Sequence, residues 1–185
     1  DLIFSISEAT KWDLMRIRGV PEEKIVVTPL GTSIGKYFTT VTPLNGGDPF
    51  ILYVGRRSGY KNFSSLLRAF KESGKISSEF RLVCFGGEPF GPDELAQLSG
   101  LPRSGPGSVI RKTGGDGLLA QLYSTAALYV CTSKYEGFGI PLLEAMTCGC
   151  PVVTTRYGSL VEVGGRAPCY ADDHTDEALR TAIEA

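Results

Sequence analysis

Short apolar runs alternate with helical patterns along most of the chain. From residue 50 onward the runs PFILYVG, FRLVCFGG, ALYVCTS and PVVTT are apolar at consecutive positions. Helical spacing follows them in NFSSLLRAFKESG, near residues 93–98 and 118–123, in IPLLEAMTCG, and from Thr175. A weaker strand is predicted near Val109. Strands that are apolar throughout belong to parallel sheets covered on both faces, so the pattern predicts a doubly wound, Rossmann-like α/β domain.

The first thirty residues predict a separate strand, helix and strand. The first strand runs to Ser5, Ser7 caps a helix that Gly19 stops, and a second strand covers 25–28. Residues 31–49 are rich in Thr, Gly and Pro and lack periodicity, which is typical of a linker. Three apolar residues of the helix are expected to face a core: Leu14, Met15 and Ile17.

The net charge and the cysteine spacing argue against several classes of function. Nineteen basic and twenty acidic side chains leave a net charge of -1, which argues against a nucleic-acid or anionic-membrane surface, so any anion site is local. The five cysteines lack zinc or disulfide spacing, which predicts buried free thiols at Cys148 and Cys150 and a cytoplasmic location. No signal peptide or membrane-spanning run is predicted. Because the chain begins at Asp1 and ends at Ala185 inside a helical pattern, we expect a longer protein.

Three loops are candidates for a ligand cleft. Ligands of doubly wound sheets bind beyond the carboxyl ends of the strands, so the loops after Val54, Phe85 and Thr132 are expected to share one cleft. The second loop opens with Gly86 and Gly87, which would let a ligand approach the backbone, although such a pair is also common in ordinary turns. Its glycine spacing does not match the dinucleotide fingerprint GxGxxG.

The first loop, GRRSGYKN, places cations beside a predicted helix start. Arg56 and Lys61 are the candidate phosphate contacts, Gly55 allows close approach, and Asn62 or Ser64 is expected to cap the helix. An isolated basic loop is more often a set of solvated charges. Its position in the predicted cleft favours anion binding here.

The third loop contains two glutamates around a predicted helix N-terminus. Gly137 and Gly139 keep the loop free of side chains, and Pro141 suits a first helical turn. The free N–H groups of that turn favour a phosphate, with Glu136 before it and Glu144 about one turn inside the helix. A ligand with an anionic centre and hydroxyls at both ends, such as a nucleotide sugar, fits this arrangement. Alternatively, Glu144 is only a favourable first-turn acid and Glu136 a surface charge.

These motifs resemble a known family. EGFGIPLLEAMTCGCPVVTT resembles the signature of retaining glycosyltransferases of the GT-B fold, the group marked by two glutamates separated by seven residues. GRRSGYKN, LVCFGG, YGSLVEVGG and SISEATKWDLMRIRGVPEEKIVVTPLG extend the resemblance over almost the whole chain. It implies the C-terminal half of a GT-B fold: residues 1–30 as the tail of the N-terminal domain and the crossover, 31–49 as the linker, and 50–185 as the donor-binding domain.

The resemblance also implies roles. Arg56 and Lys61 would hold the donor diphosphate, Glu136 would bind hydroxyls of the transferred sugar, and Glu144 would bind the ribose. Further donor contacts would come from Gly55, Gly86, Gly87, Gly137, Phe138, Gly139, Ile140 and Leu142. The implied reaction is hexosyl transfer from a nucleotide-diphosphate sugar with retention, by front-face attack, without a metal ion, cofactor or protein nucleophile. The acceptor site lies in the N-terminal domain in this family, so this chain alone is expected to be inactive, and the full protein to be cytoplasmic or peripheral at the inner face of a membrane.

Two other functions remain open: a GT-B-fold nucleotide-sugar epimerase, for which the motif displays no acid and base, and a noncatalytic nucleotide-sugar binding module. Leu30 stands where the family commonly has asparagine, and SVIRKTGGDG lacks the usual aromatic-x-Gly pattern near the base pocket. Base, sugar and acceptor are therefore not predicted. His174, in an acidic loop, is expected to be a solvated surface residue.

Overall fold

The computed structural model describes residues 1–35 and 47–185. Part of the predicted linker, 36–46, lies outside these ranges, and the division at residues 30 and 49 stays a prediction. The first range forms a two-stranded parallel sheet with its connecting helix: β1 (Ile3–Ser5), α1 (Glu8–Arg18), a 3-10 turn (Glu22–Lys24) and β2 (Ile25–Val27).

The second range contains a parallel sheet in the order β5-β4-β3-β6-β7-β8. Its strands are β3 (Phe50–Val54), β4 (Arg81–Phe85), β5 (Val109–Lys112), β6 (Leu128–Cys131), β7 (Val152–Thr154) and β8 (Cys169–Tyr170). The chain builds outward from β3 through β4 to β5, returns to lay β6 on the other side of β3, and continues outward. This reversal confirms the predicted doubly wound fold, and it places the switch point between β3 and β6.

The helices that cover this sheet match the predicted alternation, with additions. They are α2 (Phe63–Glu72), α3 (Gly74–Glu79), α4 (Pro92–Leu98), α5 (Asp116–Thr125), α6 (Ile140–Thr147), α7 (Leu160–Gly164) and α8 (Asp176–Glu184), with a 3-10 turn at Gly59–Lys61. Helix α3 was not predicted. It starts because Ser73, at the end of α2, accepts a hydrogen bond from the Ile76 N–H at 3.0 Å and so caps a new helix.

Alternate residues of β3 divide the core between the two faces of the sheet. Phe50 and Leu52 pack with the apolar sides of α5 and α6, whereas Ile51 and Tyr53 pack with α2 and α3. Ile34 is buried in the same cluster as Phe50, so the segment that follows β2 contributes to the core beneath α6. A close-packed base therefore supports the loops at the carboxyl edge of the sheet.

Helix α1 begins and ends as predicted but does not face a core. Ser7 accepts a hydrogen bond from the Thr10 N–H, and Gly19 ends the helix with a left-handed φ of 64°. However, no residue of α1 is buried. Ile17 is 63% exposed, so the predicted core position of Ile17 is wrong. The physical reason is that a two-stranded sheet offers little surface, and no other described element covers that side of the helix.

The described residues bear on two further predictions, the buried thiols and the lack of a membrane-spanning segment. Cys148 and Cys150 are buried free thiols, which confirms their prediction. Over residues 1–35 and 47–185, no helix combines the length and the apolar character that crossing a membrane requires.

Candidate functional site

The first two predicted loops pack against each other at the edge of the sheet. The Gly55 N–H donates to the Phe85 carbonyl at 2.9 Å. Gly87 has a φ of +63°, and a Cβ there would lie 3.0 Å from the Gly55 oxygen, so the missing side chain accommodates the neighbouring loop rather than a ligand. The space beside the Gly55 Cα is open, and a Cβ at Gly86 would meet only the Gly55 nitrogen, at 4.0 Å. Gly55 and Gly86, unlike Gly87, therefore leave space beside their Cα atoms, as does Gly59 of the first loop.

The two adjacent arginines of the first loop have different environments. The Arg57 side chain is 4% exposed, donates to Glu94 at 2.7 Å and to the Glu88 carbonyl at 2.5 Å, and stacks 4.5 Å from the Phe90 ring centroid. It therefore holds the second loop in place. The Arg56 side chain is exposed, and its guanidinium contacts no charged or polar group among the described residues. Of the two arginines, Arg56 therefore has the guanidinium without a partner in the described part of the chain, and its contact with an anion stays a prediction.

Polar contacts join the first loop to the third. The Thr132 hydroxyl donates to the Lys61 carbonyl at 2.6 Å, and the Lys134 N–H donates to the Tyr60 carbonyl at 2.7 Å. The Lys61 ammonium then pairs with the Glu136 carboxylate, with 2.6 Å between Nζ and Oε1. The three loops therefore lie side by side at the carboxyl edge of the sheet, and a ligand cleft shared by all three stays a prediction. Residues 75 positions apart meet because β3 and β6 are neighbours at the switch point.

The Glu136 residue is held at both its carboxylate and its main chain. Its side chain is 11% exposed, and Oε1 accepts from the Ser133 hydroxyl at 2.6 Å as well as from Lys61. Its carbonyl accepts from the Ser159 N–H at 3.1 Å and from the Ser159 hydroxyl at 2.9 Å. Sequence reasoning missed both serines as supports. The turn in YGSL, already part of the family resemblance, was the available signal for Ser159.

Gly158 supports Glu136 through its lack of a side chain. Its φ is +60°, and a Cβ at this position would lie 2.6 Å from the Glu136 oxygen and 2.9 Å from the Glu136 nitrogen. The loop after β7 therefore contacts the backbone of the third loop directly. Sequence reasoning did not single out this glycine, since the contact joins loops 22 residues apart.

Free N–H groups lie where the third loop enters helix α6. It begins at Ile140 after Gly139, whose backbone is left-handed, and Pro141 occupies the first turn as predicted. Within residues 1–35 and 47–185, the N–H groups of Phe138, Gly139 and Ile140 donate to no protein acceptor. Unpaired N–H groups at a helix N-terminus carry the positive end of the helix dipole, so an anion is favoured there.

Two predicted donor contacts have side chains directed into the core. Phe138 and Leu142 are both buried, and Leu142 packs in the cluster beneath α6. Any contact of these residues with a ligand is therefore limited to the main chain. For Leu142 the N–H already donates to the Gly139 carbonyl at 3.0 Å, within the helix start.

Glu144 lies half-buried on α6, beyond its first turn. The Tyr123 hydroxyl is 3.3 Å from Oε2 of Glu144 and 3.1 Å from the Pro141 carbonyl. Burial raises the pKa of Glu144, opposed by the Tyr123 hydrogen bond and assisted by the nearby Asp116 charge. Because the helix begins four residues earlier, at Ile140, Glu144 does not serve as a first-turn acid. Its carboxylate is a partly desolvated acceptor without a cationic partner among the described residues.

Asn62 and His174 occupy positions different from those expected. Asn62 precedes α2, but its backbone is left-handed (φ 53°) and its side chain does not cap the helix. Instead it donates to the His174 carbonyl at 2.8 Å and accepts from the Ser65 hydroxyl. His174 is half-buried, with Nδ1 3.2 Å from the Tyr157 hydroxyl, so it is not simply solvated.

The fold and the loops at its carboxyl edge match a doubly wound α/β domain of the kind that forms the C-terminal half of GT-B glycosyltransferases. Residues 38–184 match the family model described as glycosyl transferases group 1, and the chain belongs to this family. It is 32% identical to O-antigen chain mannosyltransferase B of Escherichia coli, over 98% of this chain and 50% of that protein. The chain thus spans about half the length of this relative.

Solved structures show the same fold at low sequence identity. A glycosyltransferase from Rickettsia africae superposes with a TM-score of 0.79 at 19% identity, over 100% of this chain and 52% of that one. Anabaena HepE, solved in complex with UDP and glucose, gives a TM-score of 0.79 at 20% identity, over 99% of this chain and 52% of that one. The family and the GT-B half predicted from sequence are both confirmed.

Replacing Gly158 by alanine tests how tightly the third loop is supported. We expect Gly158→Ala to lower the free energy of unfolding by about 2–4 kcal/mol, through left-handed backbone strain plus overlap with Glu136. Gly19→Ala is the matched control, because Gly19 has a similar φ of +64° and nothing within 4 Å of its Cβ position. That control is expected to cost about 1 kcal/mol in urea unfolding. Equal costs for the two variants would contradict direct packing of Gly158 on Glu136.

Replacing Glu144 by glutamine tests its desolvation. A carboxyl whose pKa is raised by folding destabilises the folded state when ionised, and this cost disappears as pH falls below the ordinary glutamate pKa. We therefore expect Glu144→Gln to raise the melting temperature at neutral pH and the difference to vanish in acid. Glu177→Gln, at an exposed site in the first turn of α8, serves as the control: it removes a favourable first-turn charge and is expected not to raise the melting temperature at neutral pH. A lower melting temperature for Glu144→Gln at pH 7 would contradict this account.

Proposed function

We propose that this chain forms the donor-binding half of a retaining hexosyltransferase that uses a nucleotide-diphosphate sugar. The observation that carries the proposal is the Lys61–Glu136 pair beside the free N–H groups of α6, at the switch point of a doubly wound sheet. A cation, a hydroxyl-binding carboxylate and an anion-binding helix start lie on connected loops. This combination suits a ligand that joins a sugar to a diphosphate.

The diphosphate is placed between the two basic side chains and the start of α6. The exposed Arg56 guanidinium supplies a planar pair of donors, and the Phe138, Gly139 and Ile140 N–H groups supply uncharged ones. The Lys61 ammonium has three N–H donors, so it can keep its Glu136 contact and also donate to a phosphate oxygen. Charge on the departing diphosphate is stabilised by groups already in place, which lowers the barrier.

Glu136 is placed at the hydroxyls of the transferred sugar. Lys61 and Ser133 both donate to Oε1, which leaves Oε2 without a described protein partner and able to accept from the sugar. In front-face transfer the bond from the anomeric carbon to the diphosphate oxygen breaks as the acceptor hydroxyl attacks the same face. The departing diphosphate takes the hydroxyl proton, so retention needs no protein nucleophile. Glu136 orients the sugar in this scheme.

Glu144 is placed at the ribose. Its half-buried carboxylate accepts strongly because little water competes for it, and a ribose diol offers two donors. The acceptor site is assigned to the other half of the GT-B fold, since this chain covers 50% of the Escherichia coli mannosyltransferase and 52% of the Rickettsia africae glycosyltransferase. The chain alone is therefore expected to bind donor without transferring the sugar. Mannose is the first sugar to test, because the similar Escherichia coli protein is a mannosyltransferase.

Nucleotide titration tests the donor site. We expect one of UDP, GDP and ADP to bind the chain in calorimetry. Arg56→Ala should weaken that binding about tenfold or more without changing the melting temperature, because its guanidinium makes no described protein contact. Arg166→Ala removes the same charge at another exposed position and should leave affinity unchanged. A folded chain that binds none of the three nucleotides would refute the donor-domain proposal.

Transfer by the full-length protein tests the role of Glu136. We expect Glu136→Gln to lower transfer from the nucleotide sugar by about a hundredfold or more, since a neutral amide binds sugar hydroxyls and Lys61 less strongly. Binding of the nucleoside diphosphate, which lacks the sugar, should fall much less. Normal transfer by this variant would remove Glu136 from the mechanism.

A further inference from the structure

The N-terminus of α1 is held by a carboxylate from α7. The Glu162 carboxylate accepts from the Glu8 N–H at 2.9 Å and from the Ala9 N–H at 3.2 Å, one bond to each oxygen. These are the first two N–H groups of α1, where the helix dipole favours a negative charge. The contact joins residues 153 and 154 positions apart, so it is a tertiary contact rather than local capping.

Two hydroxyls at the same end of α1 reach the third loop. The Ser7 Oγ lies 2.6 Å from the Gly137 carbonyl oxygen, and the Thr10 hydroxyl donates to that oxygen at 3.2 Å. The described residues contain no cis peptide, so the N–H of Phe138 points away from the carbonyl of Gly137 in their shared peptide. Holding this carbonyl on α1 therefore directs the Phe138 N–H away from α1.

Helix α7 connects this contact to Glu136. Ser159, which precedes α7, holds the Glu136 carbonyl, and Glu162, inside α7, holds the start of α1. A third contact adds to them, because the Tyr135 hydroxyl donates to Asp13 of α1 at 2.7 Å. Each residue from 135 to 137 is thus tied to α1 or α7. The direction of the loop depends on both helices.

We propose that Ser7, Thr10 and Glu162 form an α1 latch that orients the Gly137–Phe138 peptide toward the donor diphosphate. They are positioning residues, since they act through this peptide rather than by touching the ligand. The inference rests on the proposed donor site. Because coupling between sites is reciprocal, the diphosphate in turn stabilises the docked position of α1.

Variants that loosen the latch test this coupling. Thr10→Val removes the hydroxyl at nearly constant shape, and Thr10→Ser keeps it. Glu162→Gln leaves one acceptor oxygen for two N–H groups, and Glu177→Gln is its control at an exposed helix start. For the nucleotide that binds, we compare affinities for the diphosphate and for the matching monophosphate (UMP, GMP or AMP).

The expected result is a selective loss for the diphosphate. Thr10→Val and Glu162→Gln should each weaken its binding about threefold, and the double variant about tenfold, as expected for exposed or half-buried hydrogen bonds. Monophosphate affinity should change by less than about twofold, because its single phosphate does not need the oriented peptide. Thr10→Ser and Glu177→Gln should bind both ligands as the wild type does.

Trp12 provides a second measurement that a simple loss of stability would not reproduce. It is the single tryptophan of the sequence, lies on α1 and is 65% exposed. Its fluorescence anisotropy should fall in the double variant as α1 undocks, and saturating diphosphate should restore it while monophosphate does not.

Two results would overturn the latch. One is an unchanged ratio of diphosphate to monophosphate affinity in the double variant. The other is loss of both affinities together with the melting temperature, which indicates a purely structural role. If the wild-type chain binds no nucleotide, the proposed donor site fails first and the latch fails with it.

Discussion

The ion pair between Lys61 and Glu136 depends on one topological constraint, the reversal of strand order between β3 and β6. The reversal makes the carboxyl ends of these strands neighbours, so a lysine from the first loop meets a glutamate from the third. Both side chains are largely withdrawn from water, and such a pair gains little net stability unless its remaining polar atoms are satisfied. Here the Ser133 hydroxyl donates a second hydrogen bond to Oε1 of Glu136, and the Ser159 hydroxyl donates to the Glu136 carbonyl.

The same edge of the sheet concentrates groups that a structure selected only for stability would avoid. A desolvated Glu144 carboxylate and unpaired N–H groups at the start of α6 lie near one another along the chain. Each costs stability, and the apolar layers on both faces of the sheet offset that cost. The core below the loops is close-packed, and the loops carry the polar atoms of the candidate site.

Some features of the site followed from the sequence because they depend on short-range chemistry. Pro141 and the glycines before it marked the start of α6, and apolar runs marked the strands. The two arginines of the first loop could not be separated this way, since only the partners of Arg57 on the second loop distinguish it from Arg56. For helix α1, the sequence led to a wrong prediction. Its amphipathic spacing predicted a core, yet a face is buried only where another element covers it.

The sequence by itself determined the order and type of most elements, the family, and the residue types of the candidate site. Those properties are encoded locally, in periodicity and in motifs a few residues long. Only the tertiary structure decided which groups support the site: Ser133, Gly158, Ser159, and the hold of Glu162 on α1. Ser159 and Gly158 contact Glu136 from about 20 residues away in the sequence. Glu162 contacts α1 from more than 150 residues away. Their geometry depends on how the strands are ordered and the helices packed, and no local pattern in the chain records that.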